Sequence, residues 1–273
     1  DYVTRQVFYP SKDGTKIPMF IIRKAGMEQE ENKPCMLYGY GGFMISLLPA
    51  FSASWVVFLK EFGGTVAIAN IRGGDEYGEE WHNQGIIAKK QNCFDDFQYA
   101  AQYLIEDRIT SPEKLAIMGG SNGGLLVAAC ANQAPHLFRC VVARVGVLDV
   151  LKFHKYGVGA AWKSDYGDPD KAEDYQHIKR YSPVHNVFDP DDKKIGYPAV
   201  LITTADHDDR VSPLHSFKYA AELQHKAGKS PYQKQPLCIR IETKAGHGAG
   251  KPTSKVIEEN ADIYAFLYKT LDQ

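Results

Sequence analysis

The sequence has no apolar stretch of 18 or more residues, so it offers no candidate for a membrane-spanning helix, and it has no secretory leader pattern at its start. Neither charge sign is in excess. The 32 lysines and arginines stand against 33 aspartates and glutamates, a net charge of -1, so no global field draws the protein to nucleic acid or to an anionic membrane. Cysteine is sparse and without pattern: Cys35, Cys93, Cys130, Cys140 and Cys238 form no C-x-x-C, and four of the five lie in or beside apolar runs that read as core. An odd, scattered set argues against a disulfide framework and for a reducing compartment, so the cytoplasm is the expected location. The histidines show no H-E-x-x-H or other metal spacing, and neither G-x-x-x-x-G-K-[ST] nor an early G-x-G-x-x-G occurs. No metal or organic cofactor is expected.

What is present is an ordinary soluble composition, 44% hydrophobic and 24% charged, over 273 residues, enough for one large α/β domain. The chain opens with β-forming runs at 2–9 and 17–23 around "SKDGTK", whose Asp13-Gly14 is a hairpin signal. An acidic loop, "EQEENK", follows. Apolar runs then recur at 35–40, 65–71, 115–118, 140–145, 199–204 and 237–241, with helical stretches at 94–106, 121–132, 213–226 and 252–271. Strands alternating with helices predict a mostly parallel eight-stranded sheet with helices on both faces. The long segment 149–197 carries Pro169, Pro183 and Pro190, with Pro198 just after it, but also Trp162, Tyr166, Tyr175 and Tyr181, which predict an ordered rather than a disordered insert. The chain begins at Asp1 without a methionine, as a fragment of a longer protein would.

One stretch carries chemistry by itself. In "LAIMGGSNGGLLVAACA" an apolar run ends in four glycines around Ser121 and resumes as a helix, and Gly119-Gly120-Ser121-Asn122-Gly123 fits the nucleophile elbow G-x-S-x-G. Small residues flank such a serine because the turn brings the helix too close to the strand for a β-carbon. A serine nucleophile needs a base and the base an orienting carboxylate, both in loops after later strands. Two loops qualify. "ADHDDRV" follows the run at 199–204, and "ETKAGHGAGKP" follows the last run, with His247 between Gly246 and Gly248. Asp206, Asp208 and Asp209 compete for the acid role, and Asp208 is preferred because a D-x-x-V step starts the following helix in related hydrolases. The oxyanion of a tetrahedral intermediate needs two donors. The backbone N–H of Asn122 supplies one, and the loop after the third strand, "YGYGGF", offers the phenol of Tyr40. Eight strands with the first pair antiparallel and the elbow after the fifth make the α/β-hydrolase pattern.

These residues resemble the catalytic domain of the prolyl oligopeptidase family of serine peptidases. "YGYGGF", "NIRGGDEYGEEWH", "QNCFDDF", "GGSNGGLL", "LKFHKY", "TADHDDRV" and "TKAGHGAGKPT" carry the resemblance, which runs from about Tyr2 to near the C-terminus. It implies Ser121 as nucleophile, His247 as general base and then acid, Asp208 as its orienter, and Tyr40 with the Asn122 amide as oxyanion donors. It also implies that Trp162 stacks on the P1 proline in a pocket lined by Phe43, Val147, Tyr166 and Val211, with Arg210 holding a carbonyl on the acyl side. The expected activity is cleavage of short peptides on the carboxyl side of proline through an acyl-enzyme. Two alternatives stand beside it: a relative with a basic or acylated P1 preference, for which Asp165 and Asp168 are the nearby carboxylates and read as loop residues, and a hydrolase-fold protein that binds without catalysis. The family carries a β-propeller and an N-terminal segment that this chain lacks, so the expected partners are that propeller and short proline-containing peptides, the expected state a monomer. Asp75, where a small residue is common, and "MISLLPAFS" after Phe43 depart from the pattern.

Overall fold

The computed structural model describes residues 1–27, 33–248 and 250–271; residues 28–32 of the acidic loop lie outside the described residues. The apolar runs become eight strands: β1 (Tyr2–Pro10), β2 (Lys16–Lys24), β3 (Cys35–Tyr38), β4 (Thr65–Ala69), β5 (Leu115–Gly120), β6 (Cys140–Arg144), β7 (Ala199–Ala205) and β8 (Leu237–Glu242). They form one sheet in the order β1-β2-β4-β3-β5-β6-β7-β8. The Asp13-Gly14 turn, with Gly14 at φ 82, closes β1 onto β2, and β2 runs antiparallel to β4. Every other pairing is parallel. The strand order and directions are those of the α/β-hydrolase fold.

The described helices are α1 (Ala53–Glu61), α2 (Glu79–Asn83), α3 (Gln91–Glu106), α4 (Asn122–Gln133), α5 (Lys163–Tyr166), α6 (Ala172–Lys179), α7 (Pro190–Lys193), α8 (Leu214–Lys226) and α9 (Thr253–Leu271). The strand period of two divides the core between them. Cys140 and Val142 of β6 join Met36, Phe58 and Ile263 on the face covered by α1 and α9. Val141 and Ala143 join Phe97, Leu125 and Leu126 on the face covered by α3, α4 and α8. Burial on both faces is why the central strands read as continuous apolar runs rather than alternating ones. The edge strand β8 is the exception, with Cys238 exposed and the other four cysteines buried.

Segment 149–197 folds into short helical turns rather than open loop. Its aromatic residues anchor it: Tyr166, Tyr181 and Tyr197 are buried, the Tyr181 ring lies 5.2 Å from Phe94, and the Tyr197 hydroxyl donates to Asn132 at 3.0 Å.

Candidate active site

Ser121 occupies the turn from β5 into α4 at φ 57 and ψ -116, a left-handed conformation that a serine adopts only where its surroundings impose it. Those surroundings are backbone. A β-carbon on Gly119 would lie 2.2 Å from the Gly123 carbonyl oxygen, and one on Gly123 would lie 2.7 Å from the Gly39 carbonyl oxygen. Strand, elbow helix and the β3 loop therefore make their closest backbone approaches at glycines. Gly120 has no such neighbour nearer than 3.9 Å, which matches its place at a variable position of the motif. The Ser121 N–H donates to the Arg144 carbonyl at 2.8 Å, tying the elbow to the end of β6.

Tyr40 and Asn122 sit beside the serine on a densely hydrogen-bonded frame. The Asn122 side chain donates to the Tyr40 carbonyl at 2.6 Å and accepts from the Tyr166 hydroxyl at 2.9 Å. Its own N–H, at the first position of α4, has no partner within the helix. The loop after β3 is held from below by Lys90, which donates to the Gly41 carbonyl at 3.0 Å and to Asp165 at 3.3 Å. Asp165 also accepts from the Phe43 N–H at 3.1 Å. Burial, and then the Asp165 charge, push the Tyr40 phenol up to about 12, so it keeps its proton; it shares a hydrogen bond with Ser121.

The two loops found from the sequence meet. His247 Nδ1 lies 2.7 Å from Asp208 Oδ2, while Asp208 Oδ1 accepts from the Arg210 and Val211 N–H groups at 3.0 and 2.8 Å. Because a carboxylate only accepts, the imidazole proton sits on Nδ1 and the lone pair on Nε2. Of the competing carboxylates, Asp206 pairs with His207 at 2.6 Å and Asp209 is exposed; neither reaches His247. Ser121, His247 and Tyr40 line one cavity of about 340 Å³.

Val147, Tyr166 and Val211 belong to the larger core cluster, on the α4 face of the sheet, and Phe43 and Trp162 pack against it. Phe43 meets Tyr166 edge-on at 5.5 Å, and Phe153, which sequence reasoning did not single out, lies between Trp162 at 6.3 Å and Tyr166 at 5.2 Å. Trp162 is half-buried and Arg210 is exposed, with its charge felt at Tyr40. The expectation that Asp165 is a loop residue needs correction: it lies in α5, is 2% exposed, and is engaged by Lys90 and the Phe43 amide. Asp168 does lie outside a helix and pairs with Lys163 at 2.9 Å. Lys90 itself carries no local signal, since a lysine in "AKKQN" reads as solvated.

Serine after β5, aspartate after β7 and histidine after β8 is the chain order of α/β hydrolases, and these residues stand at the strand ends where that fold builds its sites. Within that fold the chain belongs to the prolyl oligopeptidase family, whose model matches residues 49–273. It is 53% identical over 272 residues to prolyl oligopeptidase A of Galerina marginata, covering 99% of this chain and 36% of that protein. It is 51% identical over 274 residues to the prolyl endopeptidase of Dictyostelium discoideum, covering 100% of this chain and 35% of that one. A solved prolyl endopeptidase superposes with a TM-score of 0.94 at 45% identity, covering 99% of this chain and 39% of that one. The chain thus spans little more than a third of the length of the curated relatives it matches.

Proposed function

We propose that residues 1–273 form the catalytic domain of a serine endopeptidase that cleaves short peptides on the carboxyl side of proline. The observation that carries this reading is the His247–Asp208 contact of 2.7 Å in a site where Ser121, held at φ 57, shares a cavity with His247 and Tyr40.

In this mechanism the Ser121 hydroxyl attacks the scissile carbonyl carbon and its proton passes to His247 Nε2. Asp208 keeps the proton on Nδ1 and stabilises the imidazolium that forms. The carbonyl oxygen becomes an oxyanion and receives hydrogen bonds from the Tyr40 phenol and the Asn122 N–H. Burial of Tyr40 keeps it a donor at any ordinary pH. As the C–N bond breaks, His247 returns the proton to the departing amine, leaving an acyl-Ser121 ester. Water, deprotonated by the same imidazole, hydrolyses that ester and restores the serine.

Proline specificity is supported by the aromatic group formed by Phe43, Phe153, Trp162 and Tyr166, an apolar surface for a rigid pyrrolidine, with the exposed Arg210, whose charge is felt at Tyr40, available for an acyl-side carbonyl. The engagement of Asp165 by Lys90 counts against a basic P1 pocket built on that carboxylate. The share of the relatives' length left uncovered leaves room for a β-propeller and an N-terminal segment elsewhere in the longer protein, and we propose that the whole acts as a monomer. Five free thiols suit the cytoplasm.

The test is kcat/KM on matched short peptides that differ only at P1, as proline, alanine, arginine or phenylalanine, with Ser121→Ala as blank and fluorophosphonate labelling of the wild type as an active-site count. A strong proline preference is expected. Preference for arginine rejects the assignment, and absence of both turnover and labelling rejects catalysis.

A further inference from the structure

The cavity of about 340 Å³ above Ser121 is not at the aromatic group. Its walls are Tyr38, Arg144, Thr204, Lys251 and Glu259 together with the catalytic groups, and none of Phe43, Val147, Trp162, Tyr166, Val211 or Arg210 borders it. Tyr38 packs against the core cluster on the α9 face of the sheet, whereas the aromatic group belongs to the α4 face. The serine thus borders a recess separate from the aromatic group, which packs on the opposite face of the sheet.

The chemistry assigns this recess, given the peptidase reading above, on which this inference rests. The acyl half of the substrate carries the proline and stays on Ser121, while the amine half leaves with the proton of His247 and so departs on the His247 side. A recess bounded by Ser121 and His247 but by none of the proline-contacting groups is where the first residues of the leaving peptide lie. At about 340 Å³ it stands at the small end of ligand pockets, room for one or two residues rather than a long chain.

Its charge is also defined. Arg144 and Lys251 both turn to one carboxylate, Glu259, at 3.1 and 2.8 Å. The next carboxylate along, Glu242, lies 3.8 Å from Lys251 and is already met by Arg240 at 2.9 Å and Lys255 at 3.2 Å. Asp262 is the further partner of Arg240, at 2.6 Å. Four cations therefore face three carboxylates across this cluster, a surplus of one positive charge. Arg144 is a third exposed at its side chain, and a guanidinium has five N–H donors, more than Glu259 alone can use.

We propose that this recess is a leaving-group subsite for a free C-terminal carboxylate one or two residues beyond the scissile bond, with Arg144 and Lys251 as its cationic partners. The enzyme then favours substrates whose proline stands second or third from the C-terminus.

The experiment uses the protein at its natural full length and a blocked Gly-Pro peptide extended by one, two or four residues, each ending as the free acid or the amide. A blocked Gly-Pro anilide, which has no leaving carboxylate, is the reference by which every rate of each variant is divided. For the wild type the free acid should exceed the amide by about tenfold in kcat/KM at one or two residues. The ratio should approach one at four residues and shrink as salt is raised. Arg144→Gln should bring the short-peptide ratio close to one, and Arg144→Lys should keep most of it. Lys251→Met offers a second reading should Arg144→Gln fail to fold. A wild-type ratio near one on short peptides, or a ratio that survives both charge-removing variants, overturns the subsite. Preference instead for an amidated peptide with aspartate or glutamate after proline overturns the assignment to a terminal carboxylate. Cleavage of the anilide with a flat acid-to-amide ratio rejects this inference alone, whereas failure to cleave the anilide rejects the prolyl peptidase reading and this inference with it.

Discussion

The two sides of Ser121 are built differently. On the α4 side, the oxyanion loop and the aromatic group rest on buried bonds: Lys90 and Asp165 are 1% and 2% exposed, and Asn122 and Tyr166 close the frame between them. On the α9 side His247 sits in a loop whose neighbours Lys244, Gly248 and Gly250 are exposed, with its anchor in ion pairs at Glu242 and Glu259. Glycine serves the two sides for different reasons. Gly119 and Gly123 have no room for a β-carbon, whereas Gly248 has nothing within 4 Å and is needed for its φ of 136. In the proposed mechanism the groups that stabilise transition-state charge are thus fixed in advance, where rigidity is worth most, and the group that moves a proton is carried by the less buried half. Damage to the buried frame under the first side should cost stability and rate together, and loss of His247 on the second mainly rate.

Five substitutions probe that contrast, in decreasing order of effect. His247→Ala should lower kcat by about 10⁴ to 10⁶, as loss of a triad base does, while shifting the urea midpoint little; Ser121→Ala should match it in rate. A large loss of stability in His247→Ala would erase the distinction between the sides. Asp165→Asn should cost about 3–5 kcal/mol in urea unfolding, because it leaves Lys90 charged and unpaired in the interior. It should also reduce kcat, since the Phe43 amide and the Gly41 loop lose their support. Tyr40→Phe removes one oxyanion donor and should lower kcat by about 10²-fold to 10³-fold with KM nearly unchanged. Trp162→Ala should lower kcat/KM for proline by about tenfold to thirtyfold and leave alanine substrates less affected, which P1-matched peptides would read out.

Much of this site was legible from the sequence because its signals are local. The elbow declares itself through glycines that a turn of that geometry requires, and the Asp208 and His247 loops follow apolar runs whose strand character holds in the structure. The sheet was legible for the same reason, its central strands being buried on both faces. What stayed hidden are pairings between distant residues. Lys90 and Asp165 are 75 positions apart, and each looks like surface until the fold brings them under Phe43. Segment 149–197 announced order through its aromatic residues, yet nothing in it marked Asp165 as structural or Phe153 as part of the aromatic group. Arg144 and Glu259 were invisible likewise, one ending a strand and one lying on a helix whose other charges are solvated.

The smallest predicted effect tests the α9 side and has a direction in pH. Burial alone would raise the Glu259 carboxyl, but the Arg144 charge, joined by hydrogen bonds from Lys251 and Arg144, takes it down from 4.5 to about 2. The folded-state value lies below the ordinary one, so the stabilisation from this carboxylate is complete above about pH 4.5 and is lost as pH falls through about 2. Glu259→Gln should therefore destabilise the protein at neutral pH, by about 1 kcal/mol once solvent screening of a partly exposed network is allowed for. The gap between variant and wild type in urea melts should narrow as the pH is lowered from 4.5 toward 2. A gap that stays constant across that window would mean that Glu259 acts through packing rather than charge. The α9 side would then owe its geometry to the same buried contacts as the α4 side, and the contrast between the two halves would fail.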